Sequence, residues 1–470
     1  MPIPVISIAQ MREWEAATWA TGQTEAEVIR RVGKRVARRA RKLTRADDTI
    51  LFLIGKGHNG DDARAAAKEI EGRRAEVLEL FLPDTDLLPL ESALKKTPAL
   101  IVDGLFGIGL NRPLSEAWQQ IIATINASKI PVLAIDVPSG LNADTGETFG
   151  ACIQAAVTLT VGAPKNGLLA PAAWPLAGRL EVTEDNGLIL CPFTSELNWT
   201  LPEDFAGFPP SRPVAGNKGS FGHAVIVAGS FGFHGAAVLA ARGAQRAQPG
   251  LVTLFTQENV YYPVAAQLQS AMVNLWRPEV KLPESTSALL VGPGLAARDL
   301  PDEMRKAVRH WWRDLKFPFI VDASALDFLA AEPFQKNCIR VLTPHPGEAA
   351  RLLNSTAVQV QANRRAALRE LSRKYGNCWV VLKGHQTLVG RSEGSIFTNP
   401  SGNAQLAQGG SGDLLSGFIT GLLAQPALQT DVEKTLRYAV WQHGAAADKL
   451  SAIRANWTVE DLAQEIGNAP

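Results

Sequence analysis

The 470-residue chain predicts two successive α/β domains, each a parallel sheet flanked by helices. Short apolar runs bounded by turn residues alternate with helix-period segments, which is the rhythm of buried strands joined by crossover helices. That rhythm occurs twice. Between the two occurrences, the stretch from Leu201-Pro202 to Phe208-Pro209-Pro210-Ser211-Arg212-Pro213 is proline-rich and aperiodic, so a domain boundary falls near residue 200. The expected domains are 1–200 and 201–470.

Residues 7–45 read as one or two helices, with Val28, Val32, Val36 and Ala40 on one i, i+4 face. Nine basic residues between Arg30 and Arg45 read as a solvated face, with an interface or anion-attracting patch as the competing reading. The strands expected next are Thr49–Ile54, Glu76–Phe81, Leu100–Val102, Pro131–Ile135 and Val157–Val161, with helices such as Ala63–Glu71 and Glu116–Ile125 between them. After the break come His223–Ala228, Leu251–Phe255, Ala288–Val291, Phe319–Val321, Ile339–Leu342 and Trp379–Leu382 as strands. Ala236–Gln248, Met304–Trp312, Ala362–Lys374, Asp413–Ala424 and Val432–Leu450 read as helices.

Lys plus Arg number 47 against 46 for Asp plus Glu, so a net charge of +1 gives no reason to expect a nucleic-acid or membrane partner. Cys152, Cys191, Cys338 and Cys378 contain no Cys-x-x-Cys pair, which argues against zinc sites and a disulfide framework and suits a reducing compartment. The N-terminal residues lack the charged and apolar regions of a secretory signal, and no window approaches eighteen uninterrupted apolar residues. A cytoplasmic enzyme acting on small molecules is expected.

The most informative motif is Gln408-Gly409-Gly410-Ser411-Gly412-Asp413, a glycine-rich turn expected to open a helix. Glycines let backbone approach a phosphate, and the first amides of a helix favour negative charge. Asp413 beside that anion is placed to take a proton from a substrate hydroxyl. An N-cap aspartate on an ordinary helix is the competing reading. Other segments fall at strand ends, where open parallel sheets bind ligands: Gly229-Ser230 through Gly235-Ala236, Gly292-Pro293-Gly294, Pro344-His345-Pro346-Gly347-Glu348 and Lys383-Gly384-His385-Gln386-Thr387. The two prolines fix the backbone about His345, and a lysine directly after a strand suits nucleotide contacts.

In the first half, Gly55-Lys56-Gly57-His58-Asn59-Gly60-Asp61-Asp62 follows a strand and leads into a helix, without the Gly-Lys-Ser/Thr ending of a Walker loop. Asp103 and Asp136 each end a strand ahead of a glycine-bearing loop. Either reads equally as a turn cap, or as one of two carboxylates converging at the sheet edge with Asn59 and Ser139.

Residues 217–450 resemble the ADP/ATP-dependent NAD(P)H-hydrate dehydratases, whose fold is ribokinase-like, with Gly409–Asp413 carrying serine in place of the usual threonine and 344–348 unchanged. That resemblance implies that Ala236, Gly294, His345 and Asp413 contact the hydrated nicotinamide nucleotide, that Lys383, Gly384, His385, Gln386, Thr387 and Gly412 hold the adenine nucleotide, and that Mg2+ and ADP serve as cofactors. In Asp322-Ala323-Ser324 the family commonly has a second aspartate at the third position. Residues 7–190 resemble the NAD(P)H-hydrate epimerases, a Rossmann-like three-layer domain often fused ahead of the dehydratase. The implied K+ ligands are Asn59, Asp103 and Ser139, oxygen donors suited to a hard cation. The implied substrate contacts are His58, Asn59, Gly60, Asp61, Asp62, Gly107, Ile108, Gly109, Leu110, Asn111, Arg112, Pro113 and Asp136, with Asp136 as acid/base. The family's loop has Asn, Gly and Gly where this chain has His58, Asp61 and Ala63. A carboxylate at Asp61 is expected to repel a pyrophosphate and Ala63 to resist a positive φ, weakening epimerisation without abolishing it.

The function expected is therefore repair of NADHX and NADPHX: epimerisation of the R and S hydrates by the first domain, and ADP-dependent dehydration of the S hydrate by the second, in a homo-oligomer as relatives commonly form. A ribokinase-like small-molecule kinase is one alternative. A dehydratase whose first domain is a non-catalytic dinucleotide-binding module is the other.

Overall fold

Runs such as Ile50–Ile54 and Val157–Val161 are buried at every position, as strands covered by helices on both faces must be. The computed structural model describes residues 2–183, 185–296, 300–331, 334 and 338–469. The chain divides into two compact units, Ile3–Ser195 and Glu196–Pro470.

In the first unit the strands are β1 (Thr49–Ile54), β2 (Arg74–Glu79), β3 (Leu100–Gly104), β4 (Val132–Ile135), β5 (Val157–Val161) and β6 (Arg179–Thr183). They lie in the order β2-β1-β3-β4-β5-β6, all parallel. The order reverses between β1 and β3, so the chain leaves a crevice at their carboxyl ends, the place where such sheets take ligands. Residues 7–45 form two helices, Ile8–Trp19 and Glu25–Leu43. Val28, Val32, Val36 and Ala40 of the second are buried in one cluster with Ile50, Phe52 and Ile54 of β1 and Ala63 and Ala66 of the helix His58–Glu69. Its opposite face carries the basic run, where Arg31 and Arg35 pair with Asp185, Arg39 with Glu181 and Arg41 with Glu71. Exposed pairs of this kind contribute little to stability.

The second unit holds β7 (Leu197–Trp199), β8 (His223–Val227), β9 (Leu251–Thr256), β10 (Met272–Leu275), β11 (Ala288–Val291), β12 (Phe319–Val321), β13 (Arg340–Leu342), β14 (Trp379–Leu382), β15 (Leu388–Gly390) and β16 (Ile396–Thr398). Their order is β7-β16-β15-β14-β13-β12-β11-β8-β9-β10. β14, β15 and β16 run antiparallel to their neighbours in turn, and the remaining pairs are parallel. Here the switch point lies between β8 and β11. The helices His234–Arg246 and Ser411–Leu423 pack together over this sheet, with Ala237, Ala240, Ala241 and Ala244 of the first meeting Leu414, Leu415, Phe418 and Leu422 of the second in one buried cluster. No helix among the described residues is long and apolar enough to cross a membrane.

Candidate active sites

In the second unit the glycine-rich turn does open a helix. Gly410 takes φ 93°, a left-handed conformation that L side chains rarely adopt, and delivers the chain into Ser411–Leu423 without any side-chain cap. The Ser411 amide donates to the Gln408 carbonyl at 3.3 Å, which leaves the amides of Gly412 and Asp413 without a side-chain cap, as an anion site requires. Buried His443 steadies this tip by donating its Nε2 hydrogen to the carbonyl of Ser411 at 3.1 Å, and burial lowers its pKa to about 4, so the ring is neutral.

Asp413 sits one residue past Gly412, and its pKa is pushed up to about 7. Burial is the main cause, reinforced by the negative charges of Asp322 and Glu348 and opposed by the positive charge of Lys383. Lys383 follows β14 directly and donates from Nζ to Asp322 Oδ1 at 2.7 Å. A Cβ on Gly412 would stand 3.2 Å from that Nζ, so only a bare glycine lets the lysine reach the helix tip without displacement. Burial pulls the Lys383 pKa down, but Asp322 and Glu348 outweigh it and the net direction is up, which keeps the ammonium charged. Asp322 is 1% exposed and its Oδ2 has no hydrogen-bond partner. A buried carboxylate oxygen left open in this way is costly unless a ligand completes it.

His345 caps the helix Pro346–Leu353, its Nδ1 accepting from the amides of Gly347 at 3.0 Å and Glu348 at 3.4 Å. Glu348 returns the favour by accepting from the His345 amide at 2.8 Å. The hydrogen-bond pattern assigns the imidazole proton to Nε2. At the switch point, Gly294 takes φ 66° and a Cβ there would stand 2.5 Å from the Phe233 carbonyl and 2.9 Å from Ala236 Cβ, so Ala236 and Gly294 are neighbours. Ser230 Oγ donates to the Gly294 carbonyl at 2.6 Å and ties the two loops together.

The loop Lys383–Thr387 rests on Arg364, a residue the sequence reading did not single out. Its guanidinium donates to the carbonyls of Leu382 at 3.0 Å, Lys383 at 3.3 Å, Gln386 at 3.3 Å and also His385. Burial lowers its pKa to about 10, which still leaves it charged at neutral pH.

In the first unit, a cavity of about 740 Å³ lies at the strand ends. His58, Asn59, Asp62, the run Gly107–Arg112 and Asp136 line it. Gly60, Asp61 and Pro113 do not. Gly60 is packed so closely that a Cβ would stand 2.0 Å from the Gly55 carbonyl. Two expectations about this loop are corrected. Asp61 pairs with Arg64 at 2.6 Å and does not line the cavity. Ala63 lies inside the helix His58–Glu69, with the positive φ of 92° falling on Gly57 instead. This helix also starts without a side-chain cap.

Asn59, Asp103 and Ser139 meet around Phe106. Asn59 Nδ2 donates to the Phe106 carbonyl at 3.0 Å and to that of Ile135 at 3.1 Å, the Phe106 amide donates to Ser139 Oγ at 2.8 Å, and Ser139 Oγ donates to Asp103 Oδ1 at 2.6 Å. Burial raises the pKa of Asp103, while bonds from Ser139 and Leu105 oppose the shift. Asp136 has φ 62°, a strained value for an aspartate. Its Oδ1 accepts from the Val161 amide at 2.9 Å, from Thr160 Oγ1 at 3.1 Å and from Lys165 Nζ. Lys165 is fully buried and also donates to the Val161 carbonyl at 2.9 Å. A buried lysine gives no sequence signal, since lysine on any strand-following loop reads as surface.

Two uncapped helix tips, one near the Lys383–Asp322 pair and the other at a strand-end cavity lined by Asp136, which pairs with buried Lys165, mark a two-domain α/β enzyme. The NAD(P)H-hydrate dehydratase family model matches residues 224–468, and the model of the YjeF-related protein N-terminus matches residues 81–167. A bifunctional NAD(P)H-hydrate repair enzyme from Gloeobacter violaceus is 34% identical, with 95% of this chain and 94% of that protein covered. The corresponding protein of Escherichia coli is 33% identical over 86% of this chain and 81% of its own. The chain belongs to the family of bifunctional NAD(P)H-hydrate repair enzymes. Among solved structures, an ADP/ATP-dependent NAD(P)H-hydrate dehydratase from Bacillus subtilis, co-crystallised with ATP and Mg2+, matches with 32% identity and a TM-score of 0.50 over 55% of this chain and 92% of that one. A ribokinase-like superfamily protein from Enterococcus faecalis matches at 24% identity and a TM-score of 0.51, over 58% of this chain and 95% of that one, which speaks for the fold.

Proposed function

We propose that the second unit dehydrates the S form of NADHX or NADPHX at the expense of ADP, and that the first unit interconverts the R and S forms. The observation that carries the first assignment is Asp413, a half-buried carboxyl in the first turn of an uncapped helix, with its pKa pushed up to about 7. Hydration of the nicotinamide ring leaves a hydroxyl that departs poorly. Asp413 takes the proton of that hydroxyl, and the hydroxyl oxygen attacks the terminal phosphorus of ADP as the bond from that phosphorus to its bridging oxygen breaks and AMP departs. Amides of Gly412 and Asp413 and the ammonium of Lys383 neutralise the charge on the phosphoryl oxygens, a contribution on the order of 3 kcal/mol per donor in comparable sites. Loss of phosphate and of a ring proton then restores the reduced cofactor. Lys383 to Thr387 and Gly412 hold the adenine nucleotide, while Ala236, Gly294 and His345 hold the hydrate.

No group of three or more His, Cys, Asp or Glu among the described residues is disposed to hold a metal ion. Mg2+ is therefore assigned to the nucleotide phosphates, and no step above runs through it. In the first unit, the oxygen-rich set Asn59, Asp103 and Ser139 fits K+, which when bound supplies a fixed positive charge beside the dinucleotide cavity. Asp136, paired with buried Lys165 and lining that cavity, is the acid/base group for ring opening and reclosure.

The test is the purified protein with S-hydrate and ADP. Absorbance of the reduced nicotinamide is expected to recover, and no recovery refutes the dehydratase reading. A stable phosphorylated product in its place would point to the kinase alternative.

A further inference from the structure

Two carboxyl groups of the first unit's cavity are placed in opposite electrostatic settings. Asp136 and Asp62 both line the same space. Asp136 has a dedicated counter-ion in fully buried Lys165 and further donors in the Val161 amide and Thr160. Asp62 is 8% exposed, yet it forms no hydrogen bond or ion pair with the other described residues. Its neighbour Asp61 differs, being paired with Arg64 at the surface side of the helix. A carboxyl largely withdrawn from water, with neither a donor nor a cation beside it, is biased toward the neutral acid.

We propose that Asp62 is the catalytic acid of the epimerase site, working against Asp136 as the base, with Lys165 as the positioning residue that keeps Asp136 in its strained, ion-paired setting. The proposal deepens the epimerase reading of this cavity and rests on it. Environments that separate two carboxyls into one ionised and one protonated member are the usual way in which a single site supplies both an acid and a base.

The chemistry balances without an outside reactant. The hydrate carries its hydroxyl on the ring carbon bonded to nitrogen. Asp136 removes the hydroxyl proton, the C=O bond forms, and the C–N bond breaks with its electron pair passing to nitrogen, which takes the proton of Asp62. Rotation about the adjoining carbon–carbon bond turns the aldehyde to its other face. In reclosure the nitrogen returns its proton to Asp62 and attacks the carbonyl carbon, and the new alkoxide recovers the proton held by Asp136. Both residues end as they began, and the carbon has the opposite configuration.

Burial first, then the charges of Asp136, Asp61, Glu15 and Glu25, push the Asp62 pKa well above the usual carboxylate range. Other groups facing the space are Lys56, Arg12, Arg112 and His58, the last bonded to Glu25 at 2.6 Å. Because activity requires the protonated form, it is present below the raised pKa and lost as pH rises through it.

The experiment uses the full chain, pure R-hydrate and no nucleotide, following the appearance of the S form by chromatography from pH 5 to 9. Wild-type protein is expected to show a fall in rate on the alkaline side. Asp62→Asn is expected to lower the rate constant by about 100-fold or more, in the range of general acid catalysis, and to remove that alkaline fall. A fast wild type without the alkaline fall, or an Asp62→Asn protein within twofold of wild type, overturns the role of Asp62 alone. A wild-type rate equal to that in buffer overturns the epimerase reading and the proposal together. The wild-type pH profile decides the matter even where the variant does not fold.

Discussion

The raised pKa of Asp413 makes the pH dependence of dehydration a direct probe of its role. A base works only when ionised, so activity must fall as pH drops through the folded pKa. With that value at about 7, roughly 9% of the carboxyl is ionised at pH 6 and about 91% at pH 8, which gives about a tenfold rise in turnover between the two. Glu348→Gln should move this rise to lower pH. The amide still accepts from the His345 backbone, where Glu348 bonds at 2.8 Å, but one of the two negative charges that hold Asp413 up is gone. Turnover of S-hydrate at saturating ADP, read as the growth of nicotinamide absorbance across pH 5.5 to 8.5, gives both curves. Asp413→Asn should lose about 10²–10⁴-fold at every pH. A flat wild-type profile, or an Asn variant that keeps the acidic fall, would refute the assignment of Asp413 as base.

Two further outcomes follow from the packing around the sites. Asp136→Asn should abolish R-hydrate processing and leave S-hydrate turnover intact; equal damage to both epimers, measured with each pure form, would count against its confinement to the first unit. Arg364→Met removes the donors to four loop carbonyls, so it should destabilise the second unit by roughly 2–4 kcal/mol and raise the KM for ADP more than it lowers kcat. An unchanged urea midpoint together with an unchanged KM would show that the loop holds itself.

The buried parallel strands and amphipathic helices were legible because their residues announce themselves locally: Thr49–Ile54, Val157–Val161, Ala288–Val291, Phe319–Val321 and Trp379–Leu382 have the expected bounds. Three others were not. Leu388–Gly390, Ile396–Thr398 and Leu197–Trp199 carry glycine, threonine and asparagine in place of an unbroken apolar run, and they pair with one another at one side of the sheet. Met272–Leu275 is a half-exposed edge strand, and Arg179–Thr183 begins with an exposed arginine, so neither shows a continuous apolar run. Glycine turns and strand-end acids marked Asp413, Asp103 and Asp136 in the sequence, since turn chemistry is local. Arg364, His443 and Lys165 act through contacts 18 to 32 residues away along the chain or onto a strained neighbour, and nothing in their immediate sequence distinguishes them from ordinary helix or loop residues. The positive φ expected at Ala63 falls on Gly57, since Ala63 lies in helical backbone, and Asp61 pairs with Arg64 outside the cavity.

The cage that Arg364 forms beneath residues 382–386 means that this segment has its shape before any nucleotide arrives. On the proposed assignment of this segment to the adenine nucleotide, the ligand meets a socket that needs no ordering, so capture is expected at a rate set by diffusion and charge rather than by rearrangement of the protein.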